Sequence, residues 1–180
     1  GVQTCALPIL TLQSSTTLNL YRMNVNWASP ASSTLTGPQS IVIPSYTQPG
    51  SVTQPTPGEW LDAMGDRLMN KVQYSSQPFP SLWALHTVKS NGVAALRWYQ
   101  IRVDGSSPAL AQRSTYQPDT TSRWMGSLAV DKLGDMAIGY SATSGSVFPG
   151  LRYAGRLVGD TVNTITQGET TLVAGTGRSE

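Results

Sequence analysis

The chain has 180 residues, of which 39% are apolar and only 12% are charged, and its formal net charge at pH 7 is +2. The apolar content excludes wholesale disorder, no run approaches the ~20 apolar residues of a membrane helix, and the scattered single charges form no basic stripe for nucleic acid. Serine and threonine together exceed one residue in five, and this polar, weakly charged composition favours an extracellular or cell-surface protein. A single cysteine, Cys5, and a single histidine, His86, exclude disulfides within the chain and a histidine-rich metal centre.

Both ends of the chain resemble translated sequencing-library adapter. Residues 1–9 read GVQTCALPI, and residues 178–180 read RSE, which the same adapter would encode from its other strand. Such segments are set aside before the fold is considered. We therefore expect the natural stretch to cover residues 10–177, with its own ends missing. The alternative is an ordinary apolar first strand around residues 6–10.

From residue 10 onward, the sequence pattern predicts short strands. Residues 18–27 alternate polar and apolar side chains, as a half-buried strand does, and residues 41–43 indicate a second strand. Residues 47–58 are rich in Pro, Gln and Thr, which is typical of a loop. Residues 59–72 are ambiguous because their apolar positions fall at helical spacing, but the repeat described below favours a strand from about residue 67, preceded by a short helical turn.

Seven further strands follow at intervals of roughly ten residues. They are predicted at residues 81–89, 93–103, 109–116, 124–131, 136–141, 150–157 and 169–174. Turn signals such as Asp104-Gly105 separate them. Short strands at this spacing indicate an all-β sandwich, barrel or propeller.

Internal self-similarity distinguishes these architectures. Residues 66–69 (DRLM) parallel residues 122–125 (SRWM) at an offset of 56, and residues 96–99 (LRWY) parallel residues 151–154 (LRYA) at an offset of 55. A four-stranded antiparallel unit of this length, repeated in tandem, is typical of a propeller blade, because one small sheet must bury its faces against its neighbours. A tandem sandwich is the alternative, although immunoglobulin-type units need about 100 residues each.

The predicted fold is therefore all-β, a partial β-propeller of two to three four-stranded antiparallel blades. Residues 10–49 would supply the outer strands of a first blade, and residues 50–65 a loop or linker. Residues 66–118 would form the second blade and residues 119–177 the third.

Three segments then carry a resemblance to a known family. Residues 123–131 (RWMGSLAVD), 134–141 (GDMAIGYS) and 152–156 (RYAGR) resemble a family of uncharacterised bacterial secreted or cell-surface proteins with sialidase-like propeller repeats. The resemblance extends back to residues 26–30 and covers most of the chain. It implies a sialidase-like propeller outside the cell. Residues 77–80 (QPFP) depart from the family, which tends to carry acidic and histidine residues there, so a site that the family builds at this position is not expected here.

Two arginines are the main candidates for ligand binding. Arg67 and Arg123 open the presumed innermost strands, where the central funnel of a propeller would lie, with Asp66 and Trp124 beside them. Guanidinium groups suit carboxylate recognition, and sialidases, which the chain resembles, hold an acidic sugar with several arginines. The acid and the indole would add a hydrogen-bonding group and a stacking surface for a sugar ring. The alternative is that both arginines pair with neighbouring carboxylates and brace one blade against the next.

The other polar candidates favour structural roles. Asp131 together with Gly134 predicts a hairpin turn. A calcium site is the less favoured interpretation of the same residues. His86 has no serine or acid placed for a triad, so we expect a packed or hydrogen-bonded strand histidine. Arg97 and Arg152 fall on third strands and are predicted to be interblade or surface charges.

No catalytic residue, metal ligand or cofactor is predicted, and no paired carboxylates indicate glycoside hydrolysis. We expect a binding or surface-interaction module whose partner is a carbohydrate or another cell-surface polymer. One alternative is a glycoside hydrolase, lyase or sialidase-like enzyme whose catalytic acids lie largely in missing blades. Another is a purely structural repeat. Paired carboxylates, or a Tyr–Glu couple on inner strands of the full-length protein, would indicate the enzyme.

Overall fold

The computed structural model describes residues 4–55 and 57–178, and their regular structure is almost entirely β-strand. The strands are β1 Thr4–Ser14, β2 Thr17–Asn26, β3 Thr34–Val42, β4 Ser51–Thr53, β5 Trp60–Asp62, β6 Leu68–Ser75, β7 Ser81–Ser90, β8 Val93–Arg102, β9 Ala109–Tyr116, β10 Ser122–Val130, β11 Met136–Thr143, β12 Gly150–Arg156 and β13 Gln167–Val173. One short 3-10 helix, Pro30–Ser32, lies between β2 and β3. The all-β prediction is confirmed. Among the described residues, no helix has the length and hydropathy that a membrane span requires.

The strands form three antiparallel meanders and one small ladder. The first sheet has the order β1-β2-β3, the second β6-β7-β8-β9 and the third β10-β11-β12-β13. β4 pairs with β5 in a separate two-stranded ladder. The second and third sheets fall inside residues 66–118 and 119–177, and each has the four antiparallel strands predicted there.

The second sheet lies between the other two and is buried on both faces. Along β7, Leu82 packs against the first sheet, whereas Trp83 and Leu85 pack against the third. Successive side chains of a strand point to opposite faces, so contact on both faces explains why residues 81–88 are all buried. At the interface with the third sheet, the rings of Trp83 and Trp98 stack with their centroids 5.9 Å apart.

The first strands of the three sheets are neighbours: β1 lies beside β6, and β6 lies beside β10. The carboxamide of Gln73 on β6 makes two hydrogen bonds with the backbone of Val130 on β10. Nε2 donates to the carbonyl oxygen at 2.6 Å, and Oε1 accepts from the amide at 2.9 Å. Asn70 Nδ2 also donates to Ser127 Oγ at 2.7 Å. In the part of the chain that the structure describes, this stack of sheets is open and closes into neither a barrel nor a ring.

The segment predicted as a loop or linker, residues 50–65, contains β4 and β5, and its described residues form no helical turn. Val52 and Ala63 are 1% and 0% exposed and pack with Leu61 against Trp124. A three-residue strand is too short to display an alternating pattern. The sequence pattern therefore could not predict the β4–β5 ladder, which covers the start of β10.

β1 begins at Thr4, so residues 4–9 of the segment predicted to be adapter pair with β2. The first sheet consequently has one strand more than the sequence pattern predicts. This geometry matches the alternative interpretation, an ordinary first strand, and the origin of these residues stays a prediction. Residues 1–3 and 179–180 of the two predicted adapter segments lie outside the described residues.

Gly126 lies where the third sheet approaches the second closely. A Cβ at this position would lie 2.6 Å from Leu85 Cδ2 and 2.9 Å from Leu96 Cδ2. We expect Gly126→Ala to lower the free energy of unfolding by about 1–3 kcal/mol because it overpacks a buried interface. Gly139→Ala on β11 is the matched control, since no atom lies within 4 Å of a Cβ there. Equal urea-unfolding midpoints for the two variants would contradict this close packing.

Candidate functional site

The two arginines predicted to open equivalent strands are not equivalent in the structure. Asn70 (φ 59°) and Met125 (φ 50°) have left-handed backbone conformations. Each is the first residue of the register irregularity in its strand, which lies between Met69 and Gln73 in β6 and between Trp124 and Ser127 in β10. Counted from these two residues, the position equivalent to Arg123 is Leu68. Arg67 lies one residue earlier, outside β6, and a slip of one residue moves a side chain to the other face of a sheet. The offset of 56 between Arg67 and Arg123 therefore aligns the same residue type but not equivalent backbone positions.

Asp66 and Arg67 form an exposed ion pair just before β6. Arg67 Nε donates to Asp66 Oδ1 at 2.8 Å, and Nη2 donates to Oδ2 at 2.9 Å. More than half of each side chain is accessible to solvent. The hydrogen bond from Arg67 lowers the pKa of the Asp66 carboxyl group, so the carboxylate is ionised at neutral pH. Both side chains are open to a ligand.

A polar cleft of about 500 Å³ adjoins Asp66. It is lined by the end of β1, the turn after it, the segment that follows β3 and the segment before β6, namely Leu12, Gln13, Ser14, Ser15, Tyr46, Thr47, Gln48 and Asp66. Hydroxyl, carboxamide and carboxylate groups thus surround one aromatic ring. We call this feature the Asp66 cleft. Its groups can donate and accept hydrogen bonds while the ring offers an apolar surface.

Backbone hydrogen bonds hold the wall of the Asp66 cleft that carries Tyr46. Tyr46 N donates to Ser15 O at 3.2 Å, which ties this wall to the β1–β2 turn. Lys89 N donates to Thr47 O at 2.7 Å, which ties it to β7. The first and second sheets therefore hold the wall from both sides.

His86 lies next to Tyr46 in the interior. It is fully buried, its Nε2 lies 2.9 Å from Tyr99 Oη, and the Tyr46 ring packs edge-on against it with 4.6 Å between centroids. Burial, assisted by the charge of Arg97, lowers the pKa of His86 to about 3. Within the described chain, its Nδ1 has no hydrogen-bond partner. The prediction of a packed, hydrogen-bonded histidine is confirmed.

Arg123 occupies a very different environment, since it is fully buried and hydrogen-bonded to three residues. Its Nε and Nη2 donate to the two carboxylate oxygens of Glu169 at 2.6 and 3.0 Å. Its Nη1 donates to Asp119 Oδ1 at 2.9 Å and to the carbonyl oxygen of Thr121 at 2.8 Å. All three guanidinium nitrogens are therefore occupied by the protein itself.

Glu169, on β13, accepts hydrogen bonds from all three other strands of the third sheet. Besides Arg123 on β10, Tyr140 Oη on β11 donates at 2.6 Å and Arg152 Nη1 on β12 donates at 2.5 Å. We call these four residues the Glu169 clasp. Burial alone would raise the pKa of Glu169, but the hydrogen bonds from Arg123, Tyr140 and Arg152 outweigh it, and the pKa is lowered. Burial and the bond to Glu169 raise the pKa of Tyr140, so its hydroxyl group stays protonated.

The Glu169 clasp also contacts the second sheet. Tyr116, the last residue of β9, has its ring centroid 5.7 Å from the Arg123 guanidinium carbon and 6.0 Å from the Tyr140 ring centroid. Asp119 belongs to the connection between β9 and β10, and its hydrogen bond with Arg123 holds the pKa of its carboxyl group well below the usual range. This geometry is that of a brace between neighbouring sheets, the alternative interpretation of the arginine.

Trp124 was a candidate stacking surface for a sugar ring, but it is only 3% exposed. It packs in a small core cluster with residues of β4, β5 and β8 and with the residue after β5: Val52, Leu61, Ala94 and Ala63. Because neighbouring side chains in a strand point to opposite faces, Trp124 points away from the clasp that Arg123 forms. The structure thus keeps Asp66 and Arg67 open to a ligand and buries the other two candidates.

Asp131 forms the predicted hairpin turn. Its Oδ1 accepts hydrogen bonds from the backbone amides of Leu133, Gly134 and Asp135 at 2.8, 3.0 and 3.0 Å, and Gly134 adopts φ 95°. The turn prediction is confirmed. Among the described residues, no group of three or more His, Cys, Asp or Glu side chains could hold a metal ion.

Arg97 and Arg152 have different partners. Arg97, on β8, donates to the carbonyl oxygens of Pro44 and Ser45, so it links the second sheet to the segment that follows the first, as an interblade charge would. Arg152 belongs to the Glu169 clasp within the third sheet.

Sequence reasoning did not find Tyr46 or Glu169. Tyr46 lies in the segment that follows β3, and residues 45–49 (SYTQP) resemble residues 114–118 (STYQP) but carry no sign of a binding role. Its neighbours in the cleft include residues 12–15 and 66, which are distant in the sequence. Glu169 lies 46 residues after Arg123, and only the pairing of β13 with β12 brings it close. A search for acids in the same sheet as the buried Arg123 could have found Glu169, but not before the strand order was known.

Comparison with protein-family models, with curated proteins and with solved structures found no match to this chain.

Proposed function

We propose that this chain is part of a sialidase-like β-propeller that acts outside the cell as a binding or surface-interaction module. The sheets are antiparallel meanders, they stack in chain order, and their first strands are adjacent. Propeller blades share these features. Leu151 and Tyr153, on the face of the third sheet that points away from the second, are 46% and 45% exposed, which supports the packing of another blade there.

The proposed ligand is a carbohydrate or another hydroxyl-rich cell-surface polymer, bound in the Asp66 cleft. The observation that carries this proposal is the ionised, exposed carboxylate of Asp66 at the edge of a cleft that also presents Tyr46, Gln13 and Gln48. Carboxylate and carboxamide oxygens accept hydrogen bonds from sugar hydroxyl groups. A tyrosine ring supplies rigid contact area for the apolar face of a sugar.

A sialidase-like hydrolase is the second candidate, and the Tyr140–Glu169 hydrogen bond is the observation in its favour. Both residues lie outside the first strand of their sheet, and the carboxylate is already held by two arginines. Because the hydroxyl group of Tyr140 stays protonated, the pair supports bracing better than nucleophilic attack. Hydrolysis of a fluorogenic sialoside that Glu169→Gln abolishes, with folding unchanged, would favour the enzyme.

Binding to a panel of immobilised glycans tests the binding module. We expect Asp66→Asn to weaken the binding of a recognised glycan about tenfold, because a hydrogen bond to a charged group is lost. The matched control is Asp104→Asn. Asp104 forms the same exposed bidentate pair with Arg102, at 2.7 and 2.9 Å, and does not line the cleft.

Two results would count against this proposal. Equal affinities of the unmodified chain, Asp66→Asn and Asp104→Asn would remove the Asp66 cleft from the binding site. The absence of binding to every glycan by the folded chain would exclude the carbohydrate itself.

A further inference from the structure

A second pocket, distinct from the Asp66 cleft, is lined by two arginines and by no acid. It has a volume of about 260 Å³ and lies between the segment that follows β3 and the strands β8 and β9. Its lining residues are Pro44, Arg97, Arg113, Ser114 and Thr115. We call it the Arg113 pocket. Its lining combines positive charge with hydroxyl groups, and this combination points to an anionic ligand.

Arg97 is held rigidly in this pocket by neutral acceptors. Its Nε donates to Thr115 Oγ1 at 2.9 Å, and its Nη1 donates to the carbonyl oxygens of Pro44 and Ser45 at 3.2 and 3.0 Å. Carbonyl and hydroxyl oxygens orient a guanidinium group but do not cancel its charge. Within the described residues, no carboxylate lies within 4.0 Å of Arg97.

Arg113 brings a second positive charge to the same face of the second sheet. In the β8–β9 register, Arg97 pairs with Thr115 and Tyr99 pairs with Arg113. The two arginines are therefore diagonal neighbours on adjacent strands, a distance at which long side chains interact. Arg113 is exposed, and no salt bridge to it occurs in the described chain.

The backbone at Arg113 is fixed as well. Its amide donates to Asn163 Oδ1 at 2.8 Å, and the amide of Asn163 donates to Gln112 Oε1 at 3.1 Å. These bonds tie β9 to the loop that follows β12. Two like charges on one sheet face repel each other, so a fixed pair without an acid is stabilised when an anion lies between them.

We propose that the Arg113 pocket binds a tetrahedral oxyanion, the sulfate or phosphate group of an ester. Arg97 and Arg113 approach from two strands, and a tetrahedral group offers them oxygens in more than one plane. Guanidinium groups recognise such oxygens through paired, charge-assisted hydrogen bonds. This proposal does not depend on the Asp66 cleft, because it concerns other residues and another kind of ligand.

Titration of the folded chain with galactose 6-sulfate and with galactose 6-phosphate tests the pocket, with galactose as the uncharged reference. Side-chain Nε–H resonances of the arginines in NMR spectra report the site directly. We expect one or both esters to shift the resonances of Arg97 and Arg113, and galactose to leave them unchanged. The ester that binds more tightly identifies the source of the oxyanion.

Arg113→Gln removes the exposed charge and is expected to weaken ester binding about tenfold. Arg102→Gln is the matched control, since it removes another exposed arginine of the same sheet that pairs with Asp104. Equal weakening by the two substitutions would show a general charge effect and overturn the site. The proposal also fails if neither ester shifts the two resonances, or if sodium chloride at equal ionic strength shifts them as strongly.

Discussion

Arg123→Ala is expected to lower the free energy of unfolding by about 3 kcal/mol, near the low end of the cost of breaking a buried ion pair. The substitution leaves the carboxylate of Glu169 with one arginine in place of two and removes the main partner of Asp119. The Glu169 and Asp119 side chains are 16% and 53% exposed. Water can therefore solvate the two carboxylates in part after the substitution, which keeps the expected loss of unfolding free energy near about 3 kcal/mol. Denaturant unfolding followed by far-UV circular dichroism measures it.

Arg67→Ala is the matched control, because this arginine at the start of the neighbouring sheet forms, among the described residues, a salt bridge only with the exposed Asp66. We expect no measurable change in its unfolding midpoint, since surface ion pairs contribute little. A double-mutant cycle of Arg123→Ala with Glu169→Ala should show strong coupling between the two positions. Similar midpoints for Arg67→Ala and Arg123→Ala would contradict the burial of the Glu169 clasp.

Lowering the pH from 6.5 to 5 is expected to remove about 1.6 kcal/mol of stability through His86 alone, because the loss approaches 1.36 kcal/mol per pH unit once the unfolded histidine is fully protonated. The pKa of His86 falls from 6.5 to about 3 in the folded chain. Below pH 6.5 the unfolded chain therefore binds a proton that the folded chain does not, and stability declines as the pH falls towards 3. Because the sequence has a single histidine, no other histidine contributes in this range.

His86→Gln tests this prediction, because glutamine keeps a polar group for Tyr99 but does not titrate. We expect unfolding free energies measured between pH 6.5 and 5 to be nearly constant for the variant and to fall for the unmodified chain. Asp119 and Glu169, whose pKa values are lowered, should still cause both proteins to lose stability in stronger acid. Parallel pH profiles for the two proteins between pH 6.5 and 5 would refute the burial of a neutral His86.

Strand positions were largely predictable from the sequence because alternation and turn chemistry are local. Ala109–Tyr116 begins and ends where predicted, and the turn at Asp131 follows from its own side chain and Gly134. Whether the sheets close into a ring is not predictable in the same way, because closure depends on which sheet faces meet and not on any short sequence pattern. The stacking of the sheets supports the propeller proposal, although the described residues close no ring.

The candidate site was predictable only in part. Sequence similarity paired Arg67 with Arg123, but a left-handed residue in each strand sets the true equivalence one position away. Which face a side chain occupies depends on that single position. The sequence suggested that Trp124 was accessible to a ligand, because β4 and β5, which cover it, are too short to show an alternating pattern. Sequence reasoning therefore found the exposed pair Asp66–Arg67 but not the burial of its presumed counterparts.

β13 is the edge strand of the third sheet, and Glu169 connects it to every other strand of that sheet. Edge strands that detach are ready partners for the strands of other chains. Here, fraying of β13 near Glu169 would have to pull a carboxylate away from two arginines and a tyrosine. The clasp thus keeps β13 in place, so that the edge of β12 beneath it stays covered.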